Sequence, residues 1–127
     1  MRIRDRGEAT VETVLVLPAL LLVLLVGLQI AVRHHAANVA TGAAARAAAV
    51  SAASAGDDVA SSARRAAEDF VTNAGGRLSS VPEVSRGVET TSVAVTVQVP
   101  RLLPWVSDRV TRTAVEPIER FIPEIER

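Results

Sequence analysis

The chain has 127 residues, room for one domain, and only 2% of it is aromatic, which excludes a core built on large aromatic side chains. Fourteen basic residues balance fourteen acidic ones, so the basic field that a nucleic-acid partner requires is missing. Cysteine is absent, which removes disulfides and thiolate chemistry.

The first twelve residues carry Arg2, Arg4 and Arg6, then Gly7 and, five positions on, Glu12. Residues 13–32, TVLVLPALLLVLLVGLQIAV, hold no charge, and Gln29 is their only strongly polar side chain. Twenty residues at ~1.5 Å each cover ~30 Å, the hydrocarbon thickness of a bilayer, so one transmembrane helix is expected here. Pro18 and Gly27 are tolerated in such a helix, where they can introduce a local bend. A cleaved secretory signal would have a shorter apolar run ending at small residues, whereas Arg33-His34-His35 follows this one. Three arginines before the run and one after it favour a cytoplasmic N-terminus. Glu12 stands at the edge of the run, where a carboxylate must stay at the interface or find a cation.

Taken together, Arg6-Gly7-Glu8-Ala9-Thr10-Val11-Glu12 followed by an aliphatic stretch with Pro18 inside and Gly27 near its end resembles the N-terminus of TadE-like proteins, pseudopilins of the tight-adherence (Flp, type IVb) pilus system. The resemblance implies a bacterial single-pass membrane protein and a partner prepilin peptidase that cuts the Gly7-Glu8 bond on the cytoplasmic side. Glu8 would become the new N-terminus. Glu12, then the fifth mature residue, would meet the free amine of a neighbouring pilin or pseudopilin and act in assembly, its net stabilisation tempered by desolvation. Thr13 stands where family members often have Phe or Tyr, Glu8 is a charged first mature residue, and Gln29 replaces an acidic residue often seen near the end of the membrane segment.

Beyond the membrane, residues 36–55 are dominated by alanine, so the helix is expected to continue outward, with Val39 and Val50 sharing a face. The small surface suits close packing, although an exposed, composition-driven helix fits the same residues. Gly56 and Asp57-Asp58 read as an interruption and a cap. A second helix is expected to end at Asn73, with Val59, Ala63, Ala66, Ala67 and Phe70 on its apolar face and an Arg64 to Glu68 pair on the other. Ala74-Gly75-Gly76 stops it.

Val93, Val95, Val97 and Val99 alternate with Ala94, Thr96 and Gln98, the period of a half-buried strand that Pro100 ends. A strand before it, over residues 78–84, carries Pro82 and fits only an edge. Pro104 is expected to open a helix with Val106, Val110 and Ala114 on one stripe until Pro117, and the charged tail from Ile118 onward is expected to be loose. Residues 112–121 resemble the outer part of TadE-like proteins as well.

The expectation is therefore an α+β chain: a leader and processing site (1–12), a transmembrane helix (13–32), an Ala-rich helical stalk (33–73), and a small extracytoplasmic region (74–127) with a hairpin or strand pair and a C-terminal helix. The alternative is an unprocessed single-pass envelope protein acting as a structural or binding module. No enzyme chemistry, cofactor or metal is expected: His34 and His35 are adjacent without a spaced partner, Asp57-Asp58 and Glu68-Asp69 fit caps and solvated faces, and Gly75-Gly76 lacks the Lys of a phosphate loop.

Overall fold

A computed structural model describes residues 4–118, with side chains from residue 10 onward. The tail expected to be loose therefore lies, past Ile118, outside the described residues, as do residues 1–3 of the leader. Five elements follow in order: α1 (Arg4–Ala53), α2 (Val59–Asn73), β1 (Glu83–Arg86), β2 (Thr90–Gln98) and β3 (Arg109–Pro117).

The apolar run and the Ala-rich run form one uninterrupted helix, α1, which continues through Pro18. Its two halves differ in what surrounds them. Large aliphatic side chains from Val11 to Ile30 are exposed on all sides, whereas Ala36, Val39, Ala40, Ala43, Ala44, Ala47, Ala48 and Ser51 are buried. The alanine face is thus packed, and it packs on its own chain: α2 lies along it on one side and the sheet on the other. Small side chains let these layers approach closely enough to exclude water without aromatic bulk. Phe70 of α2 lies over Gly42 so closely that a Cβ there would sit 2.5 Å from its Cζ.

A tight connection turns the chain from α1 into α2. Gly56 adopts φ +103°, a left-handed conformation that an L side chain resists. Asp58 occupies the N-cap position, but its side chain makes no capping bond. Its carbonyl accepts instead from the Ser61 hydroxyl and the Ser62 N–H. The helix ends at Asn73 as expected, through a Schellman arrangement: Gly75 has φ +73°, its N–H reaches Thr72 O, and the Gly76 N–H reaches Val71 O at 2.9 Å.

Two details of α2 differ from expectation. Val71, not Phe70, joins Val59, Ala63 and Ala67 as a buried residue of α2, while Phe70 stays 38% exposed with the tip of its ring over Gly42. Arg64 does not pair with Glu68; its Nε donates to the carbonyl of Pro82 at 3.3 Å, tying α2 to the chain entering β1.

The sheet is antiparallel in the order β1-β2-β3. β2 follows its valine period closely, burying Thr91, Val93, Val95 and Val97 toward the helices. The strand before it is shorter and later than residues 78–84: Leu78 makes an isolated bridge to Val97, Pro82 is buried in between, and β1 starts at Glu83 as an edge strand.

The expected C-terminal helix is absent; residues 109–117 form β3. Val110 and Ala114 fit a helical stripe and a strand face equally, since four residues is a multiple of two as well as one helical turn. Nine paired positions, from Thr90 opposite Pro117 to Gln98 opposite Arg109, resolve that ambiguity in favour of the strand, aided by the β-branched Val110, Thr111, Thr113 and Val115. Pro117 sits at the strand's last position, where a missing donor costs least.

Candidate functional site: the apolar helix and its junction with the head

The outer half of α1, α2 and the sheet make a head whose core is almost entirely Ala and Val. The apolar half of α1 projects from it. Gly7 and Glu8 lie in the first turns of this helix, where the leading backbone N–H groups have no intrahelical acceptor. Glu12 is exposed, and Thr13, Val16, Leu17 and Leu20 line a shallow groove with it, the i, i+4, i+8 progression of one helix face. Pro18 has no N–H for the Val14 carbonyl one turn earlier. Between Glu12 and Arg33 lie 20 uncharged residues, ~30 Å of helix.

Where the helix meets the head, a polar side chain is buried. Gln29 is 3% exposed, although its neighbours Leu28 and Ile30 are open. Its Oε1 accepts from the Leu102 N–H at 2.7 Å and from the Leu103 N–H at 3.4 Å, and its Nε2 donates to the Pro100 carbonyl at 3.2 Å. One turn further along, Arg33 Nη1 donates to Ser107 O at 3.4 Å. The loop between β2 and β3, residues 99–108, is thereby clamped along α1 from the level of Gln29 to that of Arg33. The role of Gln29 is this backbone clamp, a contact that its place in the apolar run does not reveal. The one sequence signal that bears on it is a lone polar residue in an otherwise apolar run.

A cavity of about 500 Å³ lies beside this junction, with Val32, Val39 and His35 of α1 facing Arg77, Arg101 and Asp108. At the far end of the head, Arg86 Nη1 donates to the carbonyls of Ser51 at 3.0 Å and Ser54 at 2.8 Å, closing the C-terminus of α1 with a cation where the helix dipole favours one. His34 and His35 are exposed, and the described residues contain no group of three His, Asp or Glu side chains placed to hold a metal. The chemistry open to this arrangement is apolar packing along α1, one carboxylate at Glu12, and the Gln29 clamp.

Among the described residues one helix is long and apolar enough to cross a membrane, and with the small α+β head that follows it, it fits a single-pass membrane protein. Residues 7–49 match the family model described as TadE-like protein, the family that the N-terminal motif resembles. The match takes in roughly a third of the chain, from Gly7 through the apolar run to the alanine face, and ends before α2 and the sheet. No curated protein and no solved structure matches the chain significantly.

Proposed function

We propose that the chain is a TadE-like pseudopilin or minor pilin that is inserted with its N-terminus in the cytoplasm, cut after Gly7 by a prepilin peptidase, and used in assembling a tight-adherence pilus or related secretion apparatus. The observation that carries this reading is the family match over residues 7–49, which begins at Gly7 itself. Opening the Gly7-Glu8 bond for cleavage disturbs only the first turns of α1, where few hydrogen bonds are lost. Removing Arg2, Arg4 and Arg6 takes away the cations that hold the helix end at the cytoplasmic face. The exposed Glu12, on an otherwise apolar face, is then the group available to pair with the amine of a neighbouring subunit and set axial register. Lipid, the peptidase and other pilins are the partners this reading requires, and it gives the chain a structural, non-enzymatic role.

N-terminal sequencing of the protein from native membranes tests the processing. A start at Glu8 that reverts to Met1 when the peptidase gene is deleted supports it; a start at Met1 with the peptidase active overturns it. Incorporation of Glu12→Ala into the pilus complex tests the assembly role, which is wrong if the variant enters as efficiently as the parent.

A further inference from the structure

We infer that the β2–β3 loop is a membrane-dipping element, seated in the interfacial zone of the leaflet on the head's side with Trp105 as its anchor. The inference rests on α1 being a membrane span but not on its processing or on pilus assembly.

Depth is the first argument. Arg33 is the first charge after the apolar run, and Gln29 lies four residues, ~6 Å, deeper along the helix. Because Leu102 and Leu103 donate to Gln29 while Ser107 accepts from Arg33, the loop's backbone occupies that same depth interval. A head held entirely in water would not reach back along an apolar helix to this level.

Composition is the second. Leu102, Leu103, Pro104, Trp105 and Val106 are consecutive, with Arg101 before them and Asp108 and Arg109 after. Trp105 is 72% exposed and Leu102 39%, and the Leu102 N–H is held by Gln29, whose neighbours Leu28 and Ile30 on α1 are exposed as well. An indole with an apolar body and one N–H donor is best placed at the headgroup boundary, and flanking arginines can extend to phosphates.

Backbone satisfaction is the third. Irregular chain is tolerated near hydrocarbon only when its polar groups have partners. Pro100 and Pro104 carry no N–H, Leu102 and Leu103 donate to Gln29, Val106 donates to Leu103 O at 3.3 Å, and the Pro100 carbonyl accepts from Gln29. One glutamine side chain thus serves three of the loop's backbone groups, at Pro100, Leu102 and Leu103.

Trp105 is the only tryptophan and the chain has no tyrosine, so its fluorescence reports the loop directly. The full-length chain is reconstituted at high lipid-to-protein ratio into phosphatidylcholine vesicles brominated either near the head group or near the acyl-chain end, with aqueous iodide as the opposing quencher. Shallow bromines are expected to remove at least about half of the emission, deep bromines less, and iodide little, as for an interfacial indole. A control, Trp105→Phe with Val115→Trp, moves the probe to the exposed outer face of the sheet and is expected to reverse the pattern. Full iodide quenching of Trp105 without bromolipid quenching overturns the inference. So does shielding from both quenchers, which would mean a protein partner covers the loop. Failure of the chain to float with vesicles would overturn this inference and the membrane reading together, whereas the cleavage reading is judged separately by N-terminal sequencing.

Discussion

The Ser51 and Thr91 hydroxyls meet at 2.7 Å across the interface between α1 and β2, with both side chains fully buried. Thr91 also lies 3.4 Å from the Ser85 carbonyl, so the geometry accommodates Ser51 donating to Thr91 and Thr91 to Ser85. In a core otherwise made of Ala and Val, this is a fully buried polar contact between the helix and the sheet. Thr91→Val keeps the shape and strands the Ser51 hydroxyl, which is expected to cost about 1–3 kcal/mol. Ser51→Ala combined with Thr91→Val should recover part of that loss, because no buried hydroxyl is then left unpaired. Thermal unfolding of the four proteins of this cycle in detergent, followed by circular dichroism, measures the coupling; additive effects would show that the pair does not act as a unit.

Arg86 closes the same end of α1. Its guanidinium reaches two of the last carbonyls, at Ser51 and Ser54, which would otherwise depend on water. Arg86 is itself exposed, so solvent screens much of the charge, and Arg86→Ala is expected to lower stability by only about 1 kcal/mol. The local effect should be clearer than the global one. The Ser54 amide, which donates to Val50 O, should exchange hydrogen faster in the variant, while the Val71 to Gly76 cap of α2 should not change.

The alanine face and the leucine face of α1 predict opposite responses to substitution. Ala43 and Ala47 are fully buried between α2 and the sheet, so Ala43→Leu adds three carbons where no space exists and is expected to destabilise the head by about 2–3 kcal/mol. Leu22→Ala removes a side chain that is half exposed on the bare segment, and the unfolding transition of the head should stay where it was. Measuring both in one detergent separates the two halves of a single helix. Equal effects would mean that the bare segment contributes to the fold of the head.

How far the sequence discloses this molecule depends on which interactions decide each part. The apolar run, the valine alternation and the Gly75-Gly76 stop are local patterns, and they read directly as α1, β2 and the Schellman end of α2. The alanine run was open between packed and exposed because small residues fit both, and only the facing α2 and sheet decide. Val110 and Ala114 satisfy two periods at once, so β3 was legible only through its pairing with β2, a contact far apart in sequence. Arg64 and Phe70 were assigned by helix spacing alone, while their partners, Pro82 and Gly42, lie on other elements. Gly7 and Glu12 take their meaning from a family motif and not from geometry. The Gln29 clamp joins residues more than seventy positions apart, and no spacing rule connects them.

Gln29 therefore offers the most informative single substitution. Gln29→Leu keeps the bulk and increases apolarity, so insertion of the helix should be undiminished, but Leu102 and Leu103 lose their acceptor and Pro100 its donor. Leaving such groups unpaired is expected to cost about 1–3 kcal/mol, taken up chiefly by opening of the loop, since the sheet keeps its own ladder. Gln29→Glu retains an acceptor for the two N–H groups, loses the donation to Pro100 and places a carboxylate at the edge of the hydrocarbon. It should hold the loop better than leucine does, while tolerating the membrane less well. Amide hydrogen exchange at Leu102, compared with Val95 inside β2, reads the loop separately from the sheet. An unchanged Leu102 rate in Gln29→Leu would show that the loop keeps its place through Arg33 and packing alone, and that the amide of Gln29 is dispensable to the junction.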